Sequence, residues 1–191
     1  MKPVYLIFNK PYGVLSQFSQ DFEGQSTLKD FLKDIPVDAY PVGRLDKDSE
    51  GLLLISNDKS LPRQLLDSDS GIEKKYYVQV EGLISKDAIS MLTKGIAIRF
   101  NKKWYTTLPA QVNKITEPSL PPRDPPVRYR KNIPTSWMSI RITEGKNRQI
   151  RRMCAAAGFP VLRLIRVKVG NISLENLLPG ESRTVKKADI M

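Results

Sequence analysis

Two runs of this sequence concentrate side chains able to do chemistry. The first is Gly43-Arg44-Leu45-Asp46-Lys47-Asp48-Ser49-Glu50-Gly51, an acidic loop placed directly ahead of the apolar run Leu52 to Ile55. Within it Asp46 is open to two readings, a turn former or helix cap on the one hand and a reactive carboxylate on the other. The second run is Glu144-Gly145-Lys146-Asn147-Arg148-Gln149-Ile150-Arg151-Arg152-Met153. Its spacing predicts a helix that Asn147 caps, with Ile150, Met153, Cys154 and Ala157 on the buried face and Gly158 at its end. Arg148, Arg151 and Arg152 then crowd one side, each like-charged pair costing about 0.2 to 0.5 kcal/mol. Cations there also oppose the positive end of the helix dipole, so a bound anion relieves both penalties. A solvated basic face is the plainer alternative.

The chain has no histidine and one cysteine, Cys154. Disulfides, most zinc sites and any imidazole base are thereby excluded, and carboxylates, tyrosines, lysines and arginines are left to carry the chemistry. Lysine plus arginine number 31 against 20 acidic residues, a formal charge of +11, with a pI near 9.8. Such a field concentrates polyanions, nucleic acid above all, and makes their binding salt-dependent. Membrane phosphates would also be attracted, but no apolar run approaches the roughly 20 residues of a spanning helix. The opening Met1 to Phe8 run stops at Asn9, Lys10 and Pro11 before a signal-peptide core can form, so the cytoplasm is the expected compartment. No phosphate-cradling glycine loop is present, so no nucleotide cofactor is expected.

The elements that must position these residues can be read from pattern. Val4 to Phe8 reads as a strand followed by turn chemistry at Lys10 to Gly13. Ser26 or Thr27 caps a short helix through Leu28, Phe31 and Leu32 that Pro36 stops. Lys74 to Gly82 alternates, placing Tyr76, Val78 and Val80 on the inward face of a half-buried strand. Ser85 caps a helix carrying Ile89 and Leu92 and ended by Gly95, and residues 96–115 form short strands. Glu117 to Pro134, rich in proline and carrying Arg123, Arg128, Arg130 and Lys131, is an irregular loop, either an exposed connection or a basic flap touching RNA phosphates. Ser139 to Ile142, Val161 to Val169 and Leu174 to Val185 read as strands, the last around a Pro179-Gly180 turn. Strands and helices without regular alternation indicate an α+β fold. The length, 191 residues, suits one domain of two lobes, with a boundary placed near Asp69 to Lys74.

Taken together, the run from Gly43 to Leu54, Lys74-Lys75-Tyr76 and the Glu144 to Met153 run resemble, in order, the motifs of bacterial ribosomal pseudouridine synthases. Asn9-Lys10-Pro11-Tyr12-Gly13-Val14-Leu15-Ser16 and Leu162-Arg163-Leu164-Ile165-Arg166-Val167 are similar to those of the family branch typified by the small-subunit pseudouridine synthase A. The resemblance covers nearly the whole chain. It implies a mostly antiparallel mixed sheet in two lobes flanking an RNA cleft, an enzyme without metal or cofactor, and RNA as partner. It also implies that Asp46 is the essential aspartate, Tyr76 the active-site tyrosine and Arg151 the basic partner of Asp46. Many relatives carry a small S4-like RNA-binding domain ahead of the core; here the motifs begin at once, which points towards members acting on 23S rRNA or a pre-ribosomal particle. A monomer is the default expectation.

Conversion of uridine to pseudouridine breaks the C1′–N1 bond and rejoins the ring through C5, with the nucleotide extruded from its helix. Asp46 could attack C1′, attack C6 or remove the C2′ proton; each route needs it ionised beside a guanidinium. Tyr76 offers a ring for stacking and a hydroxyl for proton transfer, or else packs as an ordinary core tyrosine. Arg44, two residues before Asp46, shares its face in an extended segment and would orient the substrate backbone, or is a plain surface arginine. Lys146, Arg148, Arg152 and Arg166 are expected to contact RNA, mostly through phosphates. Two other readings share the same charge: a non-catalytic RNA-binding or ribosome-assembly protein, and a synthase acting on tRNA.

Overall fold

The run Glu50 to Ser56 is apolar almost throughout, as a strand covered on both faces must be, and it forms the central strand β3 (Glu50–Ser56), buried along its whole length. In the computed structural model, which describes residues 3–67, 70–128 and 130–190, β3 is flanked by β1 (Tyr5–Lys10) and β2 (Tyr40–Val42), both antiparallel to it. On the edge of β3 opposite β1, which β2 shares at its far end, lies β9 (Val161–Val169), followed outward by β4 (Lys74–Glu81), β8 (Thr135–Ile142) and β7 (Gln111–Ile115). The short β10 (Ile172–Ser173) pairs with β9, and β11 (Ser182–Thr184) closes the far edge against β1. A separate hairpin, β5 (Ala97–Phe100) with β6 (Lys103–Thr106), stands off the sheet.

Among the described strands only β3 and β9 run parallel, and they do so over two residue pairs, Glu50 with Ile165 and Gly51 with Arg166. This short seam joins two antiparallel halves. Successive side chains of β3 point to opposite faces, so Leu52 and Leu54 pack with Leu61, Leu65, Trp137 and Ile165, while Leu53 and Ile55 pack with Phe8, Leu28 and Leu32. The third core lies in the other half, where Val78, Val80, Met138, Ile140 and Leu164 meet the helices α2 (Lys86–Lys94) and α3 (Gln149–Ala156). Cys154, on the buried face of α3, has its thiol pushed up to about 12 by burial. Two short helices, α1 (Leu61–Leu66) and α4 (Lys187–Ile190), add Leu61, Leu65 and Ile190 to the core of the first half.

Most expected elements are present, and the departures have local causes. The Ser85 hydroxyl accepts from the Ala88 N–H and Gly95, at φ 93°, ends α2. The helix expected through Leu32 shrinks to a 3-10 turn, Leu28–Asp30: the Asp30 carboxylate caps its start by accepting from the Thr27 N–H and the Ser26 hydroxyl, but the backbone leaves the helical path at Phe31, φ −110°. The stretch Leu174 to Val185 yields only β11, the rest being turns. Asp69, at one end of the expected lobe boundary, lies outside the described residues. No helix among those described is long and apolar enough to cross a membrane.

The seam depends on a missing side chain. Gly51 sits at φ 104°, and a Cβ built on it would lie 2.3 Å from the Arg166 carbonyl oxygen and 2.8 Å from its nitrogen. Both clashes are with backbone, so neither can be relieved by a rotamer change. Gly51→Ala is therefore expected to destabilise the fold by at least about 2 kcal/mol, read as a lowered urea midpoint; an unchanged midpoint would contradict this account of the seam.

Candidate active-site cleft

Asp46 is presented by a loop tied down on both sides. Gly43 leaves β2 at φ 72°, and the buried Ser16 hydroxyl donates to the Leu45 carbonyl at 2.8 Å while accepting from the Leu45 N–H at 3.1 Å. With Leu45 pinned and buried, the loop lines the cleft continuously from Gly43 to Lys47, Arg44 and Asp46 included. A turn then closes with the Ser49 N–H on the Asp46 carbonyl at 3.0 Å, and β3 begins at Glu50.

The cleft has a volume of about 510 Å³. Its walls bring together Arg44, Asp46, Tyr76, Lys146, Arg148 and Arg166, six of the eight residues singled out above. Tyr76 lies in β4 where the burial alternates as expected, only 7% exposed. The pairing of β4 with β9 slips there, Lys75 opposite Lys168 but Tyr76 opposite Arg166, and a bulge of this kind re-aims the local side chains. Arg166 is buried, its Nε donating to the Leu52 carbonyl at 2.8 Å. It is an anchor of the seam forming part of the cleft wall, rather than a freely exposed phosphate contact.

The arginines are arranged differently from expectation. The ion pair to Asp46 comes from Arg148, whose Nη1 lies 3.5 Å from Oδ2. Arg148 precedes α3 instead of belonging to it, standing at the N-cap in the left-handed region at φ 52°; Asn147 does not cap. From that position its guanidinium also grips both oxygens of Asp48, at 2.8 and 2.7 Å. Arg151, expected beside Asp46, faces Asp48: its Nε is 3.4 Å from Oδ2 and its Nη2 donates to the Asp48 carbonyl. Arg152 points elsewhere, its Nη1 donating to the Arg99 carbonyl. Burial alone would raise the Asp48 carboxyl, but hydrogen bonding from Arg148 and the charges of Arg151 and Arg148 outweigh it and hold the group below the usual carboxylate range. Asp48 is thus the member that sequence reading passed over, and its signal was its place two residues beyond Asp46.

Three further buried groups support the cleft. Lys10 is fully buried, its ammonium donating to the carbonyls of Pro11 and Val14 at 2.9 and 2.7 Å and reaching that of Lys47 at 3.5 Å. Burial lowers its pKa to about 7, against the pull of Glu50, Asp48 and Asp46. Lys74 lines the cleft with its ammonium on the Thr143 and Ile72 carbonyls, and burial, with Arg166, lowers it. The Glu144 carboxylate accepts from the Tyr105 hydroxyl, the Leu108 N–H and Gln149 Nε2, fixing the loop that carries Lys146 and Arg148. No cluster of histidine, cysteine, aspartate or glutamate able to hold a metal ion occurs among the described residues.

A mixed sheet thus carries a carboxylate, a tyrosine and guanidinium groups on the walls of one cleft, the constellation to set beside known families. Residues 4–156 match the family described as RNA pseudouridylate synthase, and the chain belongs to that family. It is 48% identical to the ribosomal large subunit pseudouridine synthase E of Vibrio vulnificus over 181 residues, 94% of this chain and 74% of that one. It is 47% identical to the enzyme of the same name from Xanthomonas axonopodis pv. citri, covering 91% and 90%. A solved structure described as a pseudouridylate synthase superposes with a TM-score of 0.78 at 26% identity, over 99% of this chain and 73% of that one.

Removing the charge of Asp48 should leave Arg148 and Arg151 facing each other with only Asp46 between them. In Asp48→Asn, kcat/KM for pseudouridine formation is expected to fall at least about tenfold with Asp46 intact; unchanged kinetics would show that the clamp has no bearing on the reaction. Lys10 gives a pH dependence whose sign is fixed. Its folded pKa lies below its unfolded value of 10.5, so the unfolded chain binds the extra proton between about pH 7 and 10.5 and stability from this group rises with pH across that window, by about 2 kcal/mol from pH 7 to 9. Urea midpoints should climb over that range relative to Lys10→Met; parallel profiles would refute the assignment.

Proposed function

We propose that this chain isomerises a uridine of large-subunit ribosomal RNA, 23S rRNA, to pseudouridine, with Asp46 as the catalytic carboxylate. The observation that carries the reading is the meeting of Asp46, Arg148 and Tyr76 on one cleft in a chain of charge +11. The names of the relatives at 47–48% identity support the ribosomal substrate.

Extrusion of a uridine from its stack costs a few kcal/mol, offset by phosphate contacts that Arg44 and Lys146 are placed to make. Asp46 then faces the sugar and base in its ionised form, steadied by Arg148, and acts at C1′, at C6 or on the C2′ proton. Tyr76 supplies the ring beside the uracil and a hydroxyl for the C5 proton. Arg151 acts through Asp48, and Arg152 serves the hairpin of β5 and β6 more than the reaction. No redox partner is needed, because the glycosidic bond broken at N1 is replaced by one at C5, the C5 proton moves to solvent and N1 takes up a proton in its place. The two halves joined at the seam act as a single catalytic domain with the lobe boundary near residues 69–74, working as a cytoplasmic monomer. Asn9 to Ser16 and Leu162 to Val167 support placement near the branch typified by the small-subunit pseudouridine synthase A.

Tritium release from C5-labelled uridine in unmodified 23S transcripts tests the reading. Wild type should release it, whereas Asp46→Asn should lose at least about a hundredfold in rate while RNA affinity is retained. Full rRNA processing in cells carrying only Asp46→Asn would favour a non-catalytic assembly role, and release from tRNA alone would move the substrate.

A further inference from the structure

Beside the main cleft lies a second, smaller hollow of about 170 Å³ bordered by Tyr12, Gly13, Lys47, Asp48 and Arg148. Lys47 and Arg148 also border the main cleft, so the two spaces share a wall. We propose that this hollow is a nucleobase subsite that takes the nucleotide adjoining the flipped uridine, with Tyr12 as its stacking platform. The proposal rests on the RNA reading above and adds a second point of recognition to it.

Four observations support a flat heterocycle as the occupant. The first is size: a cavity near 150 Å³ accommodates a benzene ring, so this one has room for a single base and little more. The second is the ring of Tyr12, which is held before any ligand arrives. Arg123 covers one of its faces, its guanidinium carbon 4.1 Å from the ring centroid. That guanidinium is itself locked to the carbonyls of Pro125, Pro126 and Leu162 at 2.8, 2.9 and 3.3 Å. A ring immobilised in this way loses little freedom when a base stacks on it.

The third observation concerns the floor. Gly13 stands at φ +83° with no atom within 4 Å of where a Cβ would be, so the backbone there leaves space open, and its N–H is held by the Lys47 carbonyl at 2.9 Å. The fourth is charge. Lys47 and Arg148 form the shared wall, and although Arg148 is already paired with Asp48 there, Lys47 adds a positive charge on the path where the phosphate linking two consecutive nucleotides would lie. The proline-rich segment, read from sequence as an exposed connection or a basic flap, thus acquires a definite task at Arg123: it is the back support of an aromatic platform.

The test uses short single-stranded RNAs with a central uridine and 2-aminopurine placed in turn on its 5′ and 3′ sides, bound to the intact protein. Binding is followed by anisotropy and stacking by quenching of the 2-aminopurine. One of the two positions should be quenched on binding to wild type and to Tyr12→Phe. In Tyr12→Leu the quenching should disappear and affinity for that RNA should fall by roughly tenfold or more. Bound RNA that stays bright at both positions in the wild type, quenching that survives Tyr12→Leu, or no binding at all would overturn the proposal. Because the readout needs no turnover, failure of the isomerase reading shows separately, as absent tritium release.

Discussion

Two strands in this molecule run side by side in the same direction, and the rest of the architecture hangs on the two residue pairs over which they do so. At that seam the Gly51 backbone lies against the Arg166 backbone with no room for a side chain, Arg166 donates to the Leu52 carbonyl, and Glu50 meets Arg163 through paired contacts at 2.8 and 2.9 Å. Both members of that ion pair are nearly buried. Removing one partner of such a pair typically costs about 3–5 kcal/mol, because the other charge is stranded away from water. The Asp46 loop enters β3 at this point and Tyr76 sits beside Arg166 across the bulge, so the reactive groups inherit their positions from the seam.

The electrostatics of the cleft follow from the same economy of parts. With no histidine available, ionisation is controlled by guanidinium groups and by burial. Asp48 holds Arg148 and Arg151 together, and Arg148 in turn touches Asp46, so one carboxylate orders the cations that steady the other. The left-handed backbone at Arg148 is an unusual choice for a side chain bearing a Cβ, and it places the guanidinium across both aspartates instead of along the helix. Below this layer Lys10 gathers three loop carbonyls around one ammonium, tying the Lys10 to Val14 turn to the loop beyond Asp46.

How much of this was legible in the residues depended on whether the signal was local. The alternation in β4, the Ser85 cap, the Gly95 stop and the apolar run of β3 are encoded within a few residues, and each appears where pattern places it. The cleft's membership was legible too, since Arg44, Asp46, Tyr76, Lys146 and Arg148 meet there. What pattern could not supply was pairing at a distance: that Arg148 and not Arg151 reaches Asp46, that Asp48 lies between them, and that Arg123 backs Tyr12. Helical spacing does not apply at Arg148, because α3 begins one residue later, at Gln149, and Arg148 stands outside it in the left-handed region. At Leu28 the local signal is a genuine helix start, with the Asp30 carboxylate on the Thr27 N–H, but local pattern does not encode that the backbone turns away at Phe31.

The burial of Cys154 has a practical consequence. A thiol so shielded and so reluctant to ionise is a poor target for alkylating reagents, and it is the sole cysteine of the chain. The natural sequence therefore serves as a nearly silent background on which single cysteines, set at the rim of the cleft or on the proline-rich segment, can carry dyes or spin labels one at a time, and distances within the working protein can be followed without first rebuilding its core.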